Sequence, residues 1–168
     1  PFVDKQRCLT TRRQSYEVVD HDPAQSDSKA DYVDHVIKGS TIDGIGFTTT
    51  LIAHYSVPVD SVTTLTTDLG RTDELVFSRI VKDSIRAAVP QILNKYTAQK
   101  LYGGNVETLS QEIEDSLKER WAVDGIVLNY FELKKPQFEE AYETAITEKA
   151  LQSEVAARKK AEQATAQE

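Results

Sequence analysis

Residues Thr41–Val57 read TIDGIGFTTTLIAHYSV, a run that separates a sheet-containing domain from an all-helical one. Phe47, Thr49, Leu51, Ala53, Tyr55 and Val57 alternate with Thr48, Thr50, Ile52, His54 and Ser56, the period of two of a strand with one buried face. Asp43-Gly44 ahead of it signals a hairpin turn, with Val36–Thr41 as the partner strand. Pro58 cannot donate to a ladder and stops the run. Upstream, Tyr16, Val18 and Val19 make Phe2–Val19 read as strands, and Asp20–Asp31, DHDPAQSDSKAD, reads as a polar loop.

Downstream the period changes. Over Asp68–Leu101, Leu75/Val76, Ile80, Ile85 and Ala88/Val89 mark one apolar helix face, capped by Thr72 and favoured by Asp73 and Glu74 at its positive end. Pro90 is expected to kink or end that helix, because it lacks an N–H and clashes with the preceding turn. Tyr102–Asn105 reads as a turn. Leu109, Ile113, Leu117 and Trp121 then recur every four residues, with Thr108 and Gln111 as a capping box and Asp124-Gly125 as the stop. Ile126–Leu133 is an apolar strand, and Lys134-Lys135-Pro136 opens a long helix. The order predicts an α+β fold, a mainly antiparallel sheet packed with two amphipathic helices and followed by a long C-terminal helix. The expected division is a domain over 1–135 and a helical part over 136–168.

That last part has no Gly after its opening Pro and is rich in Ala, Glu, Gln, Lys and Arg, all strong helix formers. Ile146, Ala150, Ser153, Ala157, Ala161 and Ala164 form a stripe whose members pair across eleven residues, a period nearly in phase with the helix. A face of small residues lets helices approach closely, so the stripe is a candidate oligomerisation face. The competing reading is a solvated single helix supported by a Glu154–Arg158 pair. Assembly predicts that a chain ending at Lys135 loses self-association.

The 168 residues are 39% hydrophobic and 28% charged, enough for one core plus an extension, and the net charge of −7 argues against general nucleic-acid binding. Cys8 is the lone cysteine, which excludes an intrachain disulfide and points to a reducing compartment. No apolar run reaches the length of a membrane span. The chain lacks Met and begins at Pro1, which reads as a processed or excised product, with room for an anchor before it.

Lys5, Arg7, Arg12 and Arg13 form a basic cluster suited to an anionic membrane surface, or a solvated strand diluted by Asp4 and Glu17. Arg79, Lys82 and Arg86 share a helix face, read as solvated or as a contact with a neighbouring subunit. Asp31, Asp34 and His35, with His21 and Asp22, raise a metal, although their spacing matches no standard site. Cys8 has no signature partner base, G-x-S-x-G is absent, Gly44-Ile45-Gly46 leads into a strand, and Gly103-Gly104 lacks the P-loop Lys. No catalytic, cofactor-binding or metal residue is therefore assigned. Trp121, Tyr130, Phe131 and Phe138 read as core or hinge packing.

These segments, taken in order, resemble the SPFH (band 7) family of stomatins, prohibitins, flotillins and bacterial membrane-protease regulators. Thr41-Ile42-Asp43-Gly44 and the strand to Tyr55 are similar to the family's hairpin and core strand. Ile85-Arg86, Tyr96–Leu101, Leu109–Leu117 and Asp124–Leu128 are similar to its helix, linker and second-helix motifs. Tyr142–Ile146, Lys149-Ala150 and Ala161–Ala164 resemble the start of its coiled coil, with prohibitins the nearest branch. The resemblance covers Val36–Glu168 and departs at Pro90 and at the Asp20–Asp31 loop. It implies a non-enzymatic, membrane-associated scaffold, held by an N-terminal anchor, that organises membrane microdomains and regulates membrane-bound AAA proteases. The implied partners are further copies in homo- or hetero-oligomers, membrane lipids and such a protease, with no cofactor. The rival readings are a monomeric adaptor and, behind it, a metal-dependent hydrolase built on the Asp31–His35 loop.

Overall fold

The computed structural model describes residues 9–68 and 72–165, and the side chains of these except at 68, 164 and 165. The fold is α+β. Strands β1 (Gln14–Val19), β2 (Tyr32–His35), β3 (Ile37–Ser40), β4 (Gly46–Thr49) and β5 (Leu51–Ser56) come first. Helix α1 (Val59–Asp68) follows, then α2 (Asp73–Val76), a π-helical segment (Phe77–Lys82) and α3 (Asp83–Leu93). After α4 (Ala98–Gly103) and α5 (Val106–Asp124), the chain forms β6 (Val127–Leu133), β7 (Gln137–Phe138) and the long α6 (Glu140–Thr165).

The alternation over Phe47–Val57 is real, but it belongs to two sheets. Four strands run in the order β2-β1-β5-β6 and three in the order β3-β4-β7. The break falls at Thr50, whose carbonyl accepts from Lys134 N–H at 2.9 Å, while the Thr49 hydroxyl donates to the Lys134 carbonyl at 2.9 Å. Two neighbouring segments thus change sheets at the same level, β5 pairing antiparallel with β6 and β4 with β7. The predicted hairpin is present as β3 against β4, with Gly44 at φ 79°, a left-handed conformation that glycine adopts without Cβ strain. Among the described residues, the one parallel pair is β1 with β2. A parallel pair needs a long crossover, and the loop from Asp20 to Asp31 supplies it.

The helices cover one face of the larger sheet. Tyr16, Val18, Leu51, Ala53, Tyr55, Leu128, Phe131 and Leu133 are buried there, together with Ile85, Val89, Ile113, Leu117 and Trp121. The four-residue spacing of α5 therefore faces inward as its sequence requires. Trp121 packs edge-on to Tyr55, centroids 6.2 Å apart, and its Nε1–H donates to Ser84 Oγ at 2.7 Å. The Ser84 hydroxyl donates to the carbonyls of Ile80 and Val81, so the indole is tied to the π-helical segment.

Several boundaries differ from the sequence reading. Helix α1 was not expected, because VDSVTTLTTD is Thr-rich; among its described side chains only Leu65 is fully buried. Pro90 neither ends nor replaces its helix, which continues to Leu93. The cap of α5 is Asn105, whose side chain accepts from Glu107 N–H at 2.9 Å, leaving Thr108 inside the helix. Tyr102 and Gly103 finish α4 instead of forming a turn. Pro136 does not start the long helix: it is buried, β7 intervenes, and α6 begins at Glu140. Gly125 does stop α5, at φ 73°.

Candidate functional site

The base of α6 is built from aromatic side chains. Phe138, held in β7, lies 6.4 Å from Phe47, 6.5 Å from Tyr102 and 5.3 Å from Tyr142, measured between ring centroids. Phe138 N–H also donates to Glu143 Oε1 at 3.3 Å, which fastens β7 to the first turn of the helix. Tyr102 carries the Lys135 ammonium 4.5 Å above its ring. Below this cluster, the tip of the β3–β4 hairpin docks on α4. Asp43 accepts from the Thr41 hydroxyl and from Ala98 N–H at 3.1 Å, and Ile42 N–H donates to the Tyr96 carbonyl at 3.0 Å. The Thr41 hydroxyl, opposed by desolvation and helped by Ala98 N–H, holds the Asp43 carboxyl below the usual range.

Between α4 and α6 runs a groove of about 420 Å³ lined by Gln99, Tyr142, Ala145, Ile146, Lys149 and Ser153. Ile146, Ala150 and Ser153 of the small-residue stripe face this groove. Ile146 is half-buried, and every described side chain beyond it, through Gln163, is exposed, including Ala150, Ser153, Ala157 and Ala161. The side chain of Ala164 lies outside the described residues. The stripe omits Leu151 and Val155, which are 62% and 46% exposed on the same helix. Their four-residue spacing is the signal that could have marked them.

Of the basic cluster, Lys5 and Arg7 lie outside the described residues, as does Cys8. Arg12 is 66% exposed and bonds Asp31 at 2.6 Å, and Arg13 is exposed. Asp31 also accepts from the N–H and hydroxyl of Ser15. Burial raises the Asp31 carboxyl, but Arg12 and Ser15 outweigh it and hold it low.

Of Arg79, Lys82 and Arg86, two meet a carboxylate of their own chain. Lys82 lies 2.9 Å and Arg86 3.3 Å from Asp34 Oδ2, and Arg86 also donates to the His35 carbonyl at 2.9 Å. The hydroxyl of the fully buried Tyr16 donates to the same carboxylate at 3.3 Å. This cluster joins β2 to the π-helical segment and α3 within one chain. Burial raises the Asp34 carboxyl, but Lys82, His35 N–H and Arg86 together hold it below its ordinary range, while burial pushes the Tyr16 phenol up. Arg79 lines a separate surface groove with Asp83, Arg120 and Asp124. Asp31 and Asp34, raised as metal ligands, both accept from cations, and His21 bonds Asp20. Among the described residues, no group of three or more His, Cys, Asp and Glu could hold a metal ion, and no helix is long and apolar enough to cross a membrane.

Of the four aromatics expected in the core or hinge, Trp121, Phe131 and Phe138 are buried. Tyr130 is 43% exposed on the uncovered face of the sheet, 5.4 Å from the His54 ring. The family model described as SPFH domain / Band 7 family matches residues 1–168. No curated protein matches the chain.

Proposed function

The chain belongs to the SPFH domain / Band 7 family, and from that membership we propose that it is a membrane-associated scaffold whose copies assemble through α6. One observation carries the assembly reading. A 26-residue helix leaves the domain with all its described side chains from Thr147 to Gln163 exposed. An isolated helix is marginal in water and gains its stability from packing, so a helix held this way is built to meet a neighbour. The small side chains at Ala150, Ser153, Ala157 and Ala161 set how closely it can be approached.

In this proposal the domain through Lys135 and the helical part from Pro136 keep separate tasks. The domain sits at a membrane surface, where Arg12 and Arg13 offer charge to anionic lipid. The helix joins copies of the same or a related chain, and the assembly organises the surrounding membrane and engages a membrane-bound AAA protease.

The test is truncation, and its position matters. Ending the chain at Lys135 removes Phe138, a buried part of the core. Ending it at Ile146 removes residues whose described side chains are all exposed. We expect the chain ending at Ile146 to sediment as a monomer where the full chain self-associates. Identical sedimentation of the two refutes assembly through α6 and favours the monomeric adaptor. Liposome flotation with Arg12→Glu and Arg13→Glu tests the membrane contact, which fails if neutral and anionic vesicles bind the chain equally.

A further inference from the structure

Between α2 and α3 the helix carries a surplus residue. Each π turn over Phe77–Lys82 closes a hydrogen bond one residue longer than an α turn, so the segment stores a residue that a continuous α-helix would not need. Val76 and Asp83, on either side, have ordinary right-handed helical angles, which confines the surplus to the segment. The residues ahead of it come as chemically matched neighbours. Thr72 caps α2 by accepting from Leu75 N–H at 3.2 Å, and Asp73, the next residue, is as good a cap. Asp73 accepts from Thr10 N–H at 2.7 Å and from the Thr10 hydroxyl, and Glu74 is again a carboxylate. Leu75 is half-buried and Val76 fully buried, and each is followed by another apolar side chain, Val76 and Phe77. Phe77 breaks the series, because Ser78 follows it. Its ring stacks on Tyr32, with centroids 3.9 Å apart and 4° between planes, and lies edge-on to Tyr16 at 4.9 Å.

We infer that the π segment is a register switch: the stretch from Thr72 to Phe77 slips by one residue, the segment closes into α-helix, and the surplus passes to the chain ahead of α2. The far side is pinned, since Trp121 bonds Ser84, whose hydroxyl holds the carbonyls of Ile80 and Val81, so the slip runs toward α2. It turns this stretch by about 100° and advances it by about 1.5 Å. Asp73 then caps the helix, Glu74 takes over Thr10, and Val76 and Phe77 fill the sites of Leu75 and Val76. The Phe77 ring leaves Tyr32, and Ser78 takes its place. Phe77 outsizes Val76 and fits only by using space that it vacates, which makes the π register the ground state. The output falls on β2. This edge strand is tied to the helical layer at its start by Tyr32 on Phe77, and near its end by Asp34 with Lys82 and Arg86. Lys82 closes the π segment and Arg86 lies beyond it, so the slip keeps the second tie and loses the first. The start of β2 and the Asp20–Asp31 crossover leading into it are released, while Thr10 and the end of the strand stay held.

Methyl relaxation dispersion on Leu75 and Val76 of the full chain reads the switch. Millisecond exchange with a minor state of about 1% is expected. Deleting Ser78 removes the surplus and locks the observed register, so the exchange is expected to vanish while Asp73 still holds Thr10. The pair Phe77→Val and Ser78→Phe writes the same buried pattern one residue later, and is expected to make the slipped register the major one. Two substitutions then report the register in urea denaturation. In the wild type Thr72→Ala removes the cap and lowers the midpoint, while Glu74→Ala does little. In the double-variant background the order reverses, because Asp73 is the cap and Glu74 holds Thr10. A wild type without exchange overturns the switch, and so does exchange that the deletion leaves unchanged. A deletion that unfolds the chain shows the extra residue to be required by the fold and equally overturns it. So does a double variant in which Thr72→Ala stays costly and Glu74→Ala neutral.

Discussion

Replacing Asp34 with alanine removes the one carboxylate that Lys82, Arg86 and Tyr16 share. Tyr16 is fully buried, so its hydroxyl loses an acceptor that water cannot supply, which costs about 1–2 kcal/mol. The two cations are 37% and 32% exposed at their side chains and can turn to solvent. Their pairs contribute only about 0.5 kcal/mol each after screening. The loss of His35 N–H bonding adds a few tenths, giving a destabilisation of about 2–3 kcal/mol. Asp34→Asn keeps an acceptor for Tyr16 and is expected to cost about half as much. Urea denaturation measures both, with an unchanged slope showing that the unfolded states are comparable. The effect also has a pH signature. The folded-state carboxyl lies below its unfolded value, so its contribution is present above the unfolded value, about pH 4, and fades as pH falls through the folded value. The gap between wild type and Asp34→Ala therefore narrows on going from about pH 5 to about pH 3. A gap under about 0.5 kcal/mol at neutral pH, or one that widens on acidification, refutes the cluster as a structural tie.

Other changes follow from the packing. Gly125→Ala places a Cβ 2.3 Å from Ser61 Oγ at φ 73°, and is expected to cost about 3 kcal/mol by thermal denaturation, with Ser61→Gly recovering part of it in a double-mutant cycle. Trp121→Phe removes the donor to Ser84 and shrinks a fully buried side chain, for an expected loss of about 2 kcal/mol in chemical denaturation. Phe138→Ala opens the aromatic cluster under α6 and is expected to cost about 3 kcal/mol, together with faster amide exchange in Glu140–Ile146.

The elements most readable in the sequence were those whose side-chain pattern has a single solution. The Leu109–Trp121 spacing faces the core, and Asp43-Gly44 makes the turn. What escaped depended on contacts between distant segments. Nothing local at Thr50 says that one alternating run serves two sheets; that is decided by Lys134, far along the chain. The polar Asp20–Asp31 loop looked idle because a parallel crossover has no composition of its own. Pro90 was expected to kink or end its helix; the helix does not end there, and only its last residues, to Leu93, follow the proline. Arg79, Lys82 and Arg86 looked like a surface face because Asp34, which occupies two of them, sits on another element. At the candidate site, the small-residue stripe was visible, while Leu151 and Val155 were masked by the stripe's regularity. The groove against α4 needed the fold before it existed.

The aromatic base of α6 has a mechanical consequence. From Ile146 to Thr165 the helix extends about 29 Å, with every described side chain beyond Ile146 exposed, so a change of about 10° at its foot carries the far end about 5 Å. Phe47, Tyr102, Phe138 and Tyr142 act as the fulcrum of that lever. Substitutions among these rings would alter the reach and direction of every residue beyond them, though no sequence in the arm itself had changed.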